Sequence, residues 1–324
     1  MKVIILGKGS MLSNLIEGTL NAGCEIVGVF RYERTIMPKF LLSLQDCFNA
    51  SHDYTLIKKY KLPEIKCKSA NSEEFKKIVL KLNADVILVG TWKEKLKKDI
   101  IDLPVIATVN VHPSYLPKYR GPNPFLQTIL HREAKSGVTF HLMDENLDTG
   151  AILEQAKIDI LPNDTSKELK DRTVYKAREL CTEVMKKLNN GLIIPVPQNE
   201  KEGKYYKNIT SYDMMLDFTK ESAEEIHARI RALHPWLPTY VTYKNKFFIP
   251  NPYKLKVLGE KQTNNVININ RIKNPKVGDI INTNSKINSI TVLCKDNKSL
   301  KMVGVNLYGF FNRPLTKYYI KNIL

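Results

Sequence analysis

The feature that most constrains this chain is an alternation along its first two hundred residues. Short runs of β-branched residues take turns with stretches whose apolar positions recur at helical spacing. Strands are read at Val3–Leu6, Glu25–Phe30, Asp85–Gly90, Val105–Val111 and Val138–Met143. Helices are read over 12–22, closed by Gly23, then over 71–82, 123–135 and 166–189. This is the pattern of βαβ units, in which helices cover both faces of a sheet and the strands become apolar throughout. The last of these helices carries Leu169, Ala177, Leu180, Cys181, Val184 and Leu188 on one face. Thr165 and Glu168 stand at capping-box spacing at its start, and Gly191 stands just past its end.

The texture changes near Pro195. Pro195-Val-Pro197 is extended, and Gly203-Lys-Tyr-Tyr-Lys207 is a basic, aromatic connector. A helix over 222–233 opens with a Ser222…Glu225 capping box. Beyond Pro238, short strands are predicted at Val241–Tyr243, Lys246–Ile249, Lys254–Leu258, Asp279–Asn282, Ser289–Cys294 and Leu300–Tyr308. Strands this short, at intervals of roughly ten residues, predict a small barrel. The Asn-rich stretch Thr263–Asn274 is read as a solvated loop, and no internal repeat is present. The reading is therefore two domains, 1–203 and 204–324.

Charge sharpens that division. Residues 201–324 hold 21 Lys/Arg against 9 Asp/Glu, a balance of +12, whereas residues 1–200 hold the remaining 29 and 24, a balance of +5. A genome-wide bias toward lysine would affect both parts alike, so a basic second module beside a nearly balanced first one points to a polyanionic partner. The five cysteines, Cys24, Cys47, Cys67, Cys181 and Cys294, are scattered and odd in number. That spacing suggests neither a disulfide framework nor a zinc knuckle, so no metal is expected. No apolar run reaches membrane length, and the expectation is a soluble cytoplasmic protein without a membrane partner. No protein partner is evident from the sequence.

Gly7-Lys-Gly9-Ser10 follows a strand and opens a helix, but the third glycine of a dinucleotide fingerprint is missing. A simple tight turn explains it. The informative segment is Asn110-Val-His112-Pro-Ser114-Tyr115-Leu116-Pro117-Lys-Tyr-Arg120-Gly121-Pro-Asn-Pro124, which follows a buried strand. Open α/β sheets bind ligands at the carboxyl ends of their strands. Strand side chains alternate, so Asn110 and His112 emerge on one face while Val111 points into the core. An amide donor beside an imidazole suits oxyanion stabilisation together with proton transfer. Taken alone, the segment reads equally well as a capped strand end with a stiff turn. The second segment, Gly137-Val-Thr-Phe-His141-Leu-Met-Asp144-Glu-Asn-Leu147-Asp148-Thr-Gly150, runs from a strand into an acidic turn. Asp148 sits where its carboxylate can face His112 and orient the ring. Asp144 reads as a turn-former, and His141 as a residue of the core or one that supports the site.

The pattern Asn-x-His-x-Ser-x-Leu-Pro-x-Tyr-Arg-Gly, with Gly-Val-Thr and Leu-Asp-Thr-Gly about thirty residues on, resembles the 10-formyltetrahydrofolate-dependent formyltransferases. The resemblance implies a doubly wound, Rossmann-like N-terminal domain and a small OB-like β-barrel. It places Asn110, His112 and Asp148 on the catalytic trio. Ser114, Tyr115, Leu116, Pro117, Arg120 and Gly121 fall on the signature substrate loop. The resemblance implies 10-formyltetrahydrofolate as co-substrate, in a pocket bounded by Val89, Gly90, Thr91 and Trp92 on one side and by Asp144 and Leu147 on the other. Met214-Met-Leu-Asp217-Phe, Ala228-Arg-Ile-Arg-Ala-Leu-His-Pro-Trp236, and the stretches from Lys276, Ile290 and Leu300 are similar to the later part of the branch acting on methionyl-tRNA. Methionyl initiator tRNA is the implied acceptor, with a nucleotide-linked amino sugar as the alternative. Two departures from the family pattern bear on the acceptor. The long basic loop after the second strand is not recognisable in 31–51, and Tyr115 stands where leucine is usual. A glycinamide-ribonucleotide acceptor would not need the second module, and an RNA-binding protein without turnover would not need all three polar residues.

Overall fold

The computed structural model describes residues 1–32, 52–243 and 246–307. Two compact units are present: residues 1–124, 135–159 and 170–207 form one, and residues 125–134, 160–169 and 208–324 the other.

The first unit is built on a six-stranded sheet of order β2-β1-β3-β4-β5-β6. Its strands are β1 (Lys2–Gly7), β2 (Glu25–Arg31), β3 (Val86–Gly90), β4 (Ala107–His112), β5 (Lys135–Leu142) and β6 (Ile152–Asp159). The first four pair parallel, and β5 and β6 return antiparallel at one edge. That mixed arrangement is common where an α/β sheet acquires a closing hairpin. Every residue of β3 is buried, which accounts for its unbroken apolar run. Around the sheet lie α1 (Gly9–Asn21), α2 (His52–Lys59), α3 (Glu73–Leu82) and α4 (Lys98–Ile101). α3 starts at Ser72, whose hydroxyl accepts from the Phe75 amide at 3.1 Å, and ends at Asn83 in the left-handed conformation. The core on one face gathers Ile4, Phe30, Phe75, Ile87 and Ile100. The long helix α6 (Ser166–Asn189) is the one predicted, and its Cys181 is fully buried against α1. The expected helix over 123–135 is the shorter α5 (Pro124–Leu130), all but its first residue belonging to the second unit. The strand expected from Val105 begins only at Ala107, because Val105 and Ile106 are exposed. β6 and α2 were not legible in advance: β6 is a half-buried edge strand without clean alternation.

The second unit contains α7 (Ala223–Leu233), entered through the expected capping box of Ser222 and Glu225. Its antiparallel strands form two sheets, β10-β11-β12-β9 and β13-β8-β7. These are β7 (Val241–Tyr243), β8 (Lys246–Ile249), β9 (Leu255–Leu258), β10 (Ile280–Asn284), β11 (Ser289–Leu293), β12 (Ser299–Val303) and β13 (Asn306–Leu307). They enclose a core of Phe248, Ile290, Val292, Leu300 and Met302 against Ile226 and Ile230 of α7. The single strand expected at Leu300–Tyr308 divides at Gly304, which has φ +71°, and Tyr308 lies outside the described residues. One expectation is corrected. Most of the Asn-rich stretch Thr263–Asn274 is helical, within α8 (Glu260–Ile269). Asparagine disfavours helix intrinsically, but Thr263 is fully buried and hydrogen-bonds Ser299 Oγ at 2.9 Å, so tertiary anchoring overrides propensity.

Of the cysteines, Cys24, Cys67, Cys181 and Cys294 are buried free thiols, and Cys47 lies outside the described residues. The segment in which a basic loop is not recognisable falls mostly on 33–51, also outside them. Among the described residues, no helix is long and apolar enough to cross a membrane.

Candidate active site

The antiparallel pairing of β4 with β5 sets Asn110 opposite His141 and His112 opposite Thr139. Four side chains therefore share one face at the carboxyl end of β4. The β5–β6 connection then brings Asp148 over them. Asp148 Oδ1 lies 3.4 Å from Asn110 Nδ2, 3.5 Å from His112 Nδ1 and 3.8 Å from His141 Nε2. Its other oxygen accepts from the Gly121 amide at 2.8 Å. The three residues singled out by sequence are thus together, joined by a fourth, His141.

The hydrogen-bond partners decide which atoms carry hydrogen. His112 Nε2 is 2.8 Å from the Tyr119 carbonyl, which can only accept, so that nitrogen donates. Nδ1 is then the ring atom turned to Asp148. His141 Nδ1 donates to the Leu142 carbonyl at 2.7 Å. Burial pushes the His141 pKa down to about 4, with the nearby Asp148 charge opposing that shift, so the ring is neutral at pH 7. Its Nε2 is a lone pair and accepts from Asn110 Nδ2 at 3.1 Å. This fixes the Asn110 amide with its nitrogen toward His141 and Asp148. Among the described residues its second hydrogen makes only the long contact to Asp148, and that donor is the one most easily given to a developing oxyanion.

Asp144 forms the expected turn: its carboxylate accepts from the Asn146 amide at 3.0 Å and from Thr149 Oγ1 at 2.7 Å. Gly150 is required where it stands, since a Cβ would lie 1.9 Å from the Leu142 carbonyl oxygen.

A pocket of about 90 Å³ opens beside the cluster, lined among others by Val89, Trp92, Asn110, Asp144, Leu147 and Asp148. Gly90 and Thr91, also expected there, are not in its lining. Gly90 ends β3 with its Cα face against Met11 and Leu15, and Thr91 is exposed. Trp92 packs edge-on against Phe30 and Tyr32 at 5.1 and 5.2 Å between ring centroids, and its buried Nε1 has no hydrogen-bond partner among the described residues. Val89, Leu96 and Met143 give the pocket apolar walls, and Asp144 and Asp148 bring carboxylates to its lining.

The loop after β4 is held stiffly. Thr139 Oγ1 donates to the Ser114 carbonyl at 2.7 Å and accepts from the Leu116 amide at 3.1 Å. Gln155 Nε2 donates to the Leu116 carbonyl at 2.8 Å. Ser114 Oγ donates to the Lys118 carbonyl at 2.9 Å, and Leu116–Pro117 is cis. Tyr115 lies on the outside with Lys157 over its ring at 5.0 Å. Arg120, predicted on the substrate loop, has its guanidinium occupied by Gln198 and Glu200, and Gly121, at φ +98°, presents its amide to Asp148. Gln198 and Gln155 carried no signal in the sequence, because neither sits in a motif and both act through atoms distant along the chain.

Residues 1–185 match the family described as Formyl transferase, and residues 208–309 match its C-terminal domain. A methionyl-tRNA formyltransferase of Clostridioides difficile (strain 630) is 30% identical over 309 residues, covering 95% of this chain and 97% of the relative. One from Koribacter versatilis (strain Ellin345) is 38% identical over 183 residues, 56% of this chain and 58% of the relative. Among solved structures, WlaRD, a sugar 3N-formyl transferase crystallised with dTDP and 5-N-formyl-THF, superposes with a TM-score of 0.61 at 18% identity, over 96% of this chain and 99% of that one. HypX of Aquifex aeolicus, in complex with tetrahydrofolic acid, gives 0.59 at 13% identity, over 96% of this chain and 45% of that one. At these identities the two structures speak for the fold.

Proposed function

The chain belongs to the formyl transferase family and is a formyltransferase; from that premise we propose that it transfers the formyl group of 10-formyltetrahydrofolate to the α-amino group of methionyl-tRNA. The observation that carries the acceptor is the near full-length similarity to a methionyl-tRNA formyltransferase, which takes in the second unit as well as the first.

The charge of that unit supports the reading. β9 and β12 pair so that Lys256 stands directly opposite Lys301. Like charges in that position are destabilising. Neither has a carboxylate partner among the described residues; Lys256 is exposed and Lys301 half-buried, and Lys254, exposed like Lys256, begins the same stretch. Lys298, by contrast, is paired with Glu224 at 2.6 Å, so its charge is already compensated. An uncompensated lysine pair is the surface a nucleic-acid backbone neutralises.

In this reading the formyl donor lies in the pocket beside Val89, Trp92 and Leu147 with its formyl carbon near Asn110. The acceptor attacks as a free amine, and an α-amino group, titrating near ~8, reaches that state at modest cost. The amine nitrogen bonds to the formyl carbon, and its carbonyl electrons move onto oxygen. The Asn110 amide hydrogen that makes the long contact to Asp148 donates to that oxyanion from where it stands, the amide plane being held by His141. The amine proton is collected between His112 Nδ1 and Asp148, while the Tyr119 carbonyl keeps the ring from rotating. Collapse breaks the bond to the folate nitrogen, to which the proton is returned.

Purified protein with 10-formyltetrahydrofolate should be offered methionyl-tRNA and, separately, several amino-sugar nucleotides, with mass spectrometry of each acceptor. Formyl-methionyl-tRNA is the expected product. A formylated sugar with unreacted tRNA would replace this acceptor by the amino-sugar one.

A further inference from the structure

Residues 192–203 run along the outside of the first unit, where Ile194 is 83% and Val196 58% exposed. One side chain of that stretch is used completely. Gln198 Nε2 donates to the carbonyls of Asp148 and Gly150 at 2.9 and 2.8 Å. Its Oε1 accepts from Arg120 Nη2 at 2.7 Å and Nε at 3.2 Å. Both hydrogens and both lone pairs of a single amide are engaged, so its orientation is fixed without ambiguity. Arg120 also forks onto the Glu200 carboxylate at 2.8 and 2.9 Å. The backbone joins in: the Arg120 amide donates to the Lys204 carbonyl at 3.0 Å, and the Tyr206 amide to the Arg120 carbonyl at 2.9 Å. Tyr119 and Tyr206 stack with centroids 4.8 Å apart. Arg120 is a cross-link between two chain segments, and its guanidinium is turned away from solvent.

Both segments converge on Asp148. That residue has φ +60°, a left-handed conformation that aspartate visits more readily than most residues with a Cβ but that still costs energy and gains from being held. Its carboxylate is gripped by the amide next to Arg120, and its carbonyl by Gln198. We propose that Gln198, locked by Arg120, is a positioning residue that holds Asp148 in this conformation and so aims Oδ1 at His112 and Asn110. Relaxation of the turn to a right-handed conformation would carry the carboxylate away from both. The catalytic consequence rests on the formyl-transfer reading above; the geometric one does not.

The test uses full-length Gln198→Ala and Gln198→Glu. The second retains a partner for Arg120 while turning an oxygen toward two carbonyls, so it isolates the loss of the amide donors. The geometric measurement is amide hydrogen exchange at Gly121, whose N–H is held by Asp148. It should exchange at least about tenfold faster in both variants, with β1 amides unchanged. The functional measurement is a cycle with Asp148→Ala. Each Gln198 variant should lower kcat about tenfold in the wild-type background, leave KM for the folate within about twofold, and cause no further loss in Asp148→Ala. Arg120→Ala should match Gln198→Ala, and Arg120→Lys should fall between it and wild type. Equal losses in both backgrounds, or wild-type exchange at Gly121, would overturn the assignment. A wild-type protein that transfers no formyl group would sink the functional reading instead, and the exchange experiment would still decide the positioning role.

Discussion

At the carboxyl ends of β4 and β5, hydrogen-bonded polar side chains lock one another in place, whereas on the β9–β12 face two lysines confront each other without a carboxylate among the described residues. Asn110 is fixed by His141, His112 by the Tyr119 carbonyl, and Asp148 by Gly121 and Gln198. A reacting centre gains from such completeness, because donors already aimed at the place where charge develops need no reorganisation during the reaction. A surface that takes up a polyanion gains from the opposite, since only uncompensated charge releases counterions on binding. On the proposed function, the saturated cluster suits chemistry and the uncompensated lysine face suits recognition of a polyanion.

The largest expected effect breaks the first half of that comparison. Asn110→Ala and Asp148→Ala should each fold, with unchanged circular dichroism, yet lose roughly 10²–10³ in kcat, the usual consequence of deleting one oxyanion donor or its support. A folded variant of either residue with near-normal turnover would remove it from the catalytic centre.

Much of this site could be read in the sequence, because its parts follow local rules. Asn110 and His112 share a face by strand alternation, and Asp148 stands in a turn marked by Thr149 and Gly150. What could not be read depends on register between distant segments. That His141 faces Asn110 follows from the β4–β5 pairing, which a single strand does not announce. Gln198 reaches Asp148 across fifty positions, from a stretch with no periodicity at all. The Asn-rich helix α8 was missed for a related reason: its buried anchor, Thr263, looks like an ordinary loop residue until Ser299 is placed beside it.

A second expectation compares the two regions by acid. Each contains one histidine whose pKa is pushed down to about 4 by burial: His141 in the first unit, and His227 in the second, where Arg231 adds to the effect. Unfolded, both titrate near ~6.5, so between that pH and about 4 the unfolded chain binds protons that the folded chain does not. Stability should therefore fall as pH drops through this window and show no further loss from these groups below it. The contribution is on the order of 3 kcal/mol for His141. Chemical denaturation of His141→Gln and His227→Gln across pH 4–7 should show a flatter dependence for each. If only one flattens, burial in the other unit is opened by water before the fold is lost.

The smallest effect concerns the lysine face, and it makes stability and binding move in opposite directions. Lys256→Glu replaces a like-charged cross-strand pair by an opposite-charged one facing Lys301. Such pairs differ by roughly 0.2–1 kcal/mol, so the variant should be slightly more stable than the natural chain. If Lys256 holds a tRNA phosphate, as the proposed function has it, the same change should raise KM for methionyl-tRNA and flatten its salt dependence by about one unit of slope. KM for the formyl donor should not move, because the pocket beside Asn110 lies in the other unit. Adding Lys301→Glu recreates a like-charged pair with the sign reversed. The stability gain should vanish while tRNA binding weakens again. That reversal separates the two effects, since a variant that merely damaged the module would lose stability at the first step. Higher stability with unchanged tRNA kinetics would mean that the face is ordinary solvated surface, and that the acceptor is held elsewhere.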